Sequence, residues 1–143
     1  MCIRDRNQDD PEVLSGSKIF DKIACGKCHV RNFKTGTHRE FAFLSNQHIL
    51  AFTDLLLHDM GDSLSDHRPE FEAQGNEWRT PPLWGIGLTK IVNGHSNFLH
   101  DGRARNFQEA ILWHGGEANQ SVLNYKNLSK KERTALLKFL NSL

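Results

Sequence analysis

Two cysteines and a histidine lie close together and are the residues of this chain best suited to do chemistry. Cys25 and Cys28 are separated by two residues, and His29 follows directly. Two thiols at this spacing can add to the two vinyl groups of one haem, and the adjacent histidine then lies under the iron as its proximal ligand. The motif therefore predicts one covalently bound haem c, held by Cys25, Cys28 and His29.

Three other interpretations of the Cys-x-x-Cys pair remain open at this point. A redox dithiol usually follows a strand in a βαβ unit, whereas the apolar pattern here places the pair at the end of a helix. A zinc site needs two further ligands, and the chain has no second cysteine pair and no tightly spaced histidines downstream. The third alternative is a chance match. The helical context and the downstream candidate ligands favour haem attachment over all three.

The iron of such a haem needs a second axial ligand or an open position. Met60 is the only methionine besides Met1, and a methionine ligand raises the reduction potential. His114 is its main competitor. His58 and His100 are further candidates, since each precedes an aspartate that could orient the ring.

A helix before the motif must position it, and the sequence signals for the start of this helix begin at Asp10. Asp10 can cap the helix, and Pro11 suits the first helical position. Apolar and small residues then recur at helical spacing and give the helix one buried face: Val13, Gly16, Ile19, Phe20 and Ile23. The helix runs into Cys25.

A short helix is predicted to carry His114. Asn106 and Glu109 resemble a capping box with asparagine in the serine position. His114 falls seven residues after Phe107 and so lies on the apolar stripe that faces the core. The stripe consists of Phe107, Ala110, Ile111 and His114, and Gly115-Gly116 ends the helix.

The last helix is predicted to start at Ser129, which forms a Ser-x-x-Glu box with Glu132. Its buried face consists of Leu136, Leu137, Leu140 and Leu143. Between the helices, residues 30–50 are mixed, and residues 61–94 are rich in glycine, proline, asparagine and serine. A structureless loop of that length is unusual unless it wraps a ligand or has a function. With no convincing run of strands, the sequence predicts a mainly α fold: a cytochrome c-like haem domain with long loops around the cofactor.

Composition sets the outer limits of these predictions. The chain has 143 residues, 18 basic and 17 acidic side chains, and a formal charge of +1. That length suits one domain with one core, and the charge gives no basic footprint for nucleic acid. No apolar run approaches the roughly 20 residues that a membrane span needs. A membrane span, a disordered tail and a solenoid are therefore excluded.

The first six residues, which include Cys2, are set apart from the rest. Met1 to Arg6 reads as a direct translation of a transposase-type sequencing adapter, and such scars are removed before fold reasoning. We expect residues 1–6 to be an artefact and residues 7–143 to be a haem domain cut from a longer protein. The absence of a signal peptide then says nothing about the compartment.

Several motifs follow the cysteine pair in an order that resembles a known family. Residues 79–85 (RTPPLWG), residues 98–103 (FLHDGR) and residues 107–110 (FQEA) resemble the C-terminal haem domain of bacterial di-haem cytochrome c peroxidases. Residues 55–61 (LLLHDMG) and residues 113–118 (WHGGEA) are closer to one branch, the di-haem oxidoreductase family of peroxidases or thiol oxidoreductases.

The resemblance covers about residues 12–143 and implies roles for the candidate ligands. In the peroxidases the distal methionine lies fourteen residues after the histidine of the His-Asp-Gly turn. Counted from His100, that position is His114, whereas Met60 matches a plain aliphatic position. The resemblance thus implies His29 and His114 as axial ligands, with Met60 as the alternative. Two histidines give a lower reduction potential than histidine and methionine.

Two further expectations come from the resemblance. The relatives bind calcium between their haem domains, partly through backbone carbonyls that match His95 and Asn97. The relatives have Thr and Pro at these two positions. Where they have arginine in the Thr-Pro loop, this chain has Trp84. We expect Trp84 to pack in the core, in preference to contact with the porphyrin or a place on an electron path.

The function implied by the resemblance is electron relay. In the relatives the C-terminal haem passes electrons, and a haem in the N-terminal domain reduces peroxide. A six-coordinate iron has no open position for peroxide, so this fragment alone is expected only to relay electrons. Its catalytic residues are unknown, and the carboxylates near the motifs are expected to be solvated: Glu77, Glu109 and Glu117.

Partners and location follow from the same resemblance. They are the missing N-terminal haem domain, an electron-donor cytochrome or cupredoxin, and a periplasmic compartment, since haem c is attached outside the cytoplasmic membrane. The rival functions are a complete mono-haem cytochrome c carrier, a haem domain with its own peroxidase activity, and a dithiol or zinc module without haem.

Overall fold

The computed structural model describes residues 7–143, so the proposed adapter segment with Cys2 lies outside the described residues. Helix α1 spans Pro11–Lys22, and the Asp10 carboxylate accepts hydrogen bonds from the backbone amides of Glu12 and Val13. The predicted start of the first helix is therefore confirmed. Within residues 7–143, no helix is both long and apolar enough to cross a membrane.

Helix α5 spans Lys130–Ser142 and packs along α1. The capping box of Ser129 and Glu132 is complete in both directions, as predicted. A side chain at Gly16 would collide with the backbone carbonyl of Ala135, so the glycine allows the two helix backbones to approach closely. Lys22 forms an ion pair with Glu132 across this contact, at 3.0 Å.

The core is built on this helix pair. Phe20, Phe52 and Phe139 meet edge to face, with ring centroids 5.5 to 6.0 Å apart, the favoured geometry for aromatic rings. Leu136 is fully buried, and so is Tyr125, whose hydroxyl has no hydrogen-bond partner among the described residues. The core also includes Val13, Ile19, Ile23, Leu83, Leu128, Ala135, Leu140 and Leu143.

Two small antiparallel sheets show that the prediction of a mainly α fold was wrong. Strands β1 (Asn32–Lys34) and β2 (His48–Leu50) pair, as do β3 (Leu57–Asp59) and β4 (Glu77–Arg79). Helix accounts for 44% of the structure and strand for 12%. The loops fold back on themselves because their backbone groups need partners. Strands of three residues are too short to show an alternating pattern in the sequence.

Three shorter helices complete the fold: α2 (Thr89–Asn93), α3 (Phe107–Trp113) and α4 (Asn119–Lys126). Asn106 caps α3 by accepting from the Glu109 amide, as predicted. The Glu109 carboxylate binds Arg105 instead of returning to Asn106, so only half of the expected capping box forms.

Candidate functional site

The cysteine motif lies in a tight turn directly after α1. Ala24 adopts a left-handed backbone conformation with φ of 70°, which is unfavourable for a residue with a side chain. Residues 25–27 then form one turn of 3₁₀-helix, and the His29 amide donates to the Cys25 carbonyl at 3.0 Å. The turn therefore brings both thiols and the imidazole onto one short segment, as the spacing of the motif requires.

Both thiols are poor nucleophiles in this setting. Burial raises the pKa of Cys25 to about 12. Burial also raises the pKa of Cys28, and the negative charges of Asp54 and Glu117 raise it further. Catalytic dithiols depend on a lowered thiol pKa, so the surroundings of this pair argue against the redox-dithiol alternative.

His29 is held by one loop. Its Nδ1 lies 3.1 Å from the Phe52 carbonyl oxygen, so Nδ1 donates and Nε2 is left for another partner. The Thr53 amide donates to the Val30 carbonyl at 2.9 Å and fixes this loop beside the motif. Burial lowers the pKa of His29 to about 4, which keeps the ring neutral at pH 7. Neutral imidazole is the form that binds metals.

His114 lies opposite His29. It is the residue at which α3 ends, and its Nδ1 donates to the Ala110 carbonyl at 2.7 Å. Burial lowers the pKa of His114 as well. The centroids of the His29 and His114 rings are 6.5 Å apart. Among residues 7–143, neither Nε2 has a hydrogen-bond partner.

The distance between the two rings fits a single metal ion between them. Metal–imidazole bonds are about 2 Å long, so two rings on opposite sides of one ion have centroids about 6 Å apart. The apolar stripe of α3 that ends at His114 is only partly buried: Phe107, Ala110 and Ile111 each keep a minor part of their surface exposed. Two neutral imidazoles suit the iron of a haem c, and two thiols suit its covalent attachment. The partly exposed apolar stripe offers a surface for the apolar porphyrin.

The ring of His100, another candidate ligand, is engaged elsewhere. His100 stacks on Trp78 with ring centroids 3.6 Å apart, and its Nε2 donates to the Leu64 carbonyl at 3.0 Å. The Met60 amide donates to the Asn76 carbonyl at 2.8 Å, which ties the segment after β3 to the segment before β4. The structure thus brings His114, and not His100, to His29.

His58 forms a cluster that we name the carboxylate clamp: Asp54, His58 and Glu117. The Nε2 of His58 donates to Asp54 and its Nδ1 donates to Glu117, both at 2.8 Å. The two carboxylates raise the pKa of His58, Glu117 more than Asp54, and His58 in turn lowers the pKa of Glu117. The Asp59 amide also donates to Glu117, at 3.0 Å.

The clamp corrects two expectations. Glu117 is not merely solvated, since it binds both His58 and the Asp59 amide. His58 is not free to bind iron, because both of its ring nitrogens donate to carboxylates. The sequence contained part of this signal: Asp54 precedes His58 by four residues, a spacing that allows ion pairing. The partner Glu117 lies 59 positions away and gives no local signal.

Two members of the carboxylate clamp lie beside Cys28, so three different metal-binding groups meet at this point. The ligand atoms of Cys28, Asp54 and His58 all lie within 4.8 Å of one another. A cysteine, a histidine and a carboxylate are ordinary zinc ligands. One thiol cannot serve both zinc and a haem vinyl group, so the two uses of Cys28 exclude each other.

The remaining predicted positions lie away from His29. Trp84 is 44% exposed, so the expectation that it packs in the core was wrong. The Nδ1 of His95 accepts from the Asn97 amide at 3.4 Å, in an exposed loop. Two cavities, of about 660 and 510 Å³, are lined by neither the cysteines nor the paired histidines.

Comparison with protein families gives a match over nearly the whole chain. The family model described as "Di-haem oxidoreductase, putative peroxidase" matches residues 2–143, nearly the whole chain. Searches of curated proteins and of solved structures found nothing that matches. The description speaks of two haems, and the chain contains one Cys-x-x-Cys-His motif.

Proposed function

This chain belongs to the di-haem oxidoreductase family, and from that premise we propose that it is a haem c domain that relays electrons. Membership implies a haem cofactor and a peroxidase-like oxidoreductase function. The observation that carries the proposal is the 6.5 Å separation of the His29 and His114 rings, whose free nitrogens suit two axial positions of one iron.

Each residue of the proposed site has a separate task. Cys25 and Cys28 would hold the haem through thioether bonds. His29 and His114 would bind the iron, and the carbonyls of Phe52 and Ala110 fix the tautomer and orientation of each ring. When bound, haem supplies a one-electron couple between ferric and ferrous iron. Because hydrogen bonds fix both rings, His29 and His114 could serve as ligands in both oxidation states, which would favour electron transfer over reaction with substrate.

With His114 as a ligand the iron would be six-coordinate, which argues against peroxide reduction at this haem. A six-coordinate iron leaves no open position for peroxide, so the peroxidase alternative requires His114 to leave the iron. The catalytic residues of the family reaction then belong to another haem domain. A complete mono-haem carrier with the same ligands is the other alternative, and its site chemistry would be identical.

Partners and location extend the proposal. We expect a second haem domain and an electron donor, either a cytochrome or a cupredoxin, in the periplasm, where haem c proteins mature. Calcium bound through the carbonyls of His95 and Asn97 stays a prediction that rests on the resemblance to the peroxidases.

The test is spectroscopic. A pyridine haemochrome assay of the purified protein should give the spectrum of haem c with one haem per chain. The ferric protein should be low-spin. His114→Ala should make it high-spin, or should leave the iron with a distal ligand that exchanges readily. His100→Ala is the matched control, because this histidine stacks on Trp78, and it should keep the low-spin spectrum. Unchanged low-spin haem in His114→Ala together with its loss in Met60→Ala would transfer the distal role to Met60.

A second candidate function rests on the cluster of Cys28, Asp54 and His58, which could hold zinc in a chain without haem. The hydrogen bonds argue against it, since both ring nitrogens of His58 are already bonded to the carboxylates of Glu117 and Asp54. Metal analysis of the purified protein separates the two candidates: stoichiometric zinc without haem would replace the proposal, and stoichiometric haem iron without zinc would support it.

A further inference from the structure

The carboxylate clamp joins the two parts of the chain that carry the paired histidines. On one side, Asp54 lies two residues after Phe52, whose carbonyl accepts the hydrogen bond from His29. On the other side, Glu117 lies three residues after His114. His58 binds both carboxylates at 2.8 Å, so a short chain of hydrogen bonds links the two histidine-bearing segments.

Both ends of this link are themselves anchored. Thr53 donates from its hydroxyl to the Thr80 carbonyl at 2.6 Å, and the Leu56 amide donates to Asp54 at 3.0 Å. These bonds fix the carboxylate of Asp54 relative to the loop that holds His29. The side chain of His58 is only 16% exposed, so water competes weakly for its two hydrogen bonds.

The turn after His114 is anchored to the same region. Glu117 accepts from the Asp59 amide in addition to His58. Gly115 and Gly116 lie so close to the Met60 and Asp59 carbonyls that a side chain at either position would collide with them. The segment that follows the distal histidine is therefore held against β3, the strand that contains His58.

We infer that His58 is a positioning residue that fixes the distance between His29 and His114 by bridging Asp54 and Glu117. The inference rests on the proposed function, since a fixed distance matters when both rings bind one iron. Without His58, the turn that contains Glu117 loses its hydrogen bond to the segment that holds His29. His114 would then dissociate from the iron more often. His58 itself does not touch the iron.

The experiment measures how readily His114 leaves the iron in the haem-loaded protein. Cyanide binds ferric iron only after the distal ligand has left, so its binding rate reports dissociation of His114. Loss of a group that hydrogen-bonds a metal ligand directly typically weakens metal binding about 10–100-fold. Because His58 acts one step further from the ligands, we expect His58→Ala to accelerate cyanide binding by about 10-fold, the lower end of that range. His48→Ala, a change at an exposed histidine of β2, should leave the rate unchanged.

A second variant guards against misfolding of His58→Ala. Glu117 is more exposed than His58, and Glu117→Ala cuts the link while the pair of Asp54 and His58 remains. We expect this variant to accelerate cyanide binding at least as much as His58→Ala, because it also removes the hydrogen bond from the Asp59 amide. His58→Gln, whose amide nitrogen carries two N–H donors, should restore part of the slow rate. A purely structural role for His58 would lower the melting temperature without changing the cyanide rate.

The outcomes separate this inference from the proposed function. If His114→Ala binds cyanide rapidly while His58→Ala and Glu117→Ala bind it at the wild-type rate, the positioning role is refuted and the ligand assignment stands. If His114→Ala leaves both spectrum and rate unchanged, the proposed distal ligand itself is refuted.

Discussion

Helices α1 and α5 are joined mainly by apolar packing, whereas the segments that carry His29 and His114 are joined mainly by hydrogen bonds. In the helix pair, Gly16 allows close backbone contact and Leu136 is completely buried. In the site, each paired histidine makes one hydrogen bond to a backbone carbonyl, and His58 is hydrogen-bonded to two carboxylates. The difference teaches that stability and ligand geometry have separate origins, so each can be changed with limited effect on the other.

The largest expected effect tests the helix pair. Leu136→Ala removes a fully buried side chain and leaves a cavity, so we expect a loss of about 2–5 kcal/mol in the free energy of unfolding. The measurement is denaturant unfolding followed by circular dichroism. The folded fraction should keep its low-spin spectrum. Leu123→Ala, at a half-exposed position of α4, should cost far less. A high-spin folded fraction in Leu136→Ala would break the separation between the two regions.

A smaller loss of stability with a larger spectral change is expected at Gly116. This glycine has φ of 49°, and a Cβ there would meet the Asp59 carbonyl and lie 2.8 Å from the Gly61 amide nitrogen. Gly116→Ala should cost about 1–3 kcal/mol through backbone strain and collision, and should increase the high-spin fraction. Gly94→Ala is the matched control, because its φ is also positive but the space around it is open. Equal spectra in the two variants would contradict the prediction.

The smallest expected effect concerns the charge that caps α5. Hydrogen bonds from Ser129, and then Lys22, lower the pKa of Glu132 from 4.5 to about 2. A carboxylate with a lowered pKa stabilises the folded state above pH 4.5, and this contribution is lost as the pH falls from 4.5 to about 2. Glu132→Gln should therefore lower the melting temperature at pH 7. Its melting temperature should also fall less steeply than that of the wild type between pH 4.5 and about pH 2.

The control for this pH profile is Glu72→Gln, at an exposed position. Its melting temperature should follow that of the wild type throughout. If the Glu132→Gln profile stays parallel to the wild-type profile down to pH 2, the proposed linkage is wrong.

The sequence predicted those parts that depend on local periodicity. The cap at Asp10, the buried face of α1 and the capping box at Ser129 each involve residues within a few positions of one another, and all three are confirmed. The four strands were missed because three residues leave no measurable pattern. Helical spacing placed His114 on a core-facing stripe as one of several candidate ligands, and the resemblance to a family then selected it as the partner of His29.

The clamp shows why the rest could not be predicted. Asp54 and His58 are four residues apart, but Glu117 joins them only after β3 and the turn beyond α3 have come together. Such contacts depend on tertiary packing, which a single sequence does not reveal. The wrong expectation for Trp84 has a similar origin, since the exposure of this side chain depends on which segments cover the Thr-Pro loop.

The pairing of α1 with α5 also has a kinetic consequence. Lys22 and Glu132, which meet across the helix contact, are 110 positions apart in the chain. Closing so long a loop costs conformational entropy before the core packing compensates, and proteins dominated by distant contacts fold slowly. We therefore expect the intervening segments, which carry the cysteine motif and both paired histidines, to stay accessible during folding until the first and last helices meet.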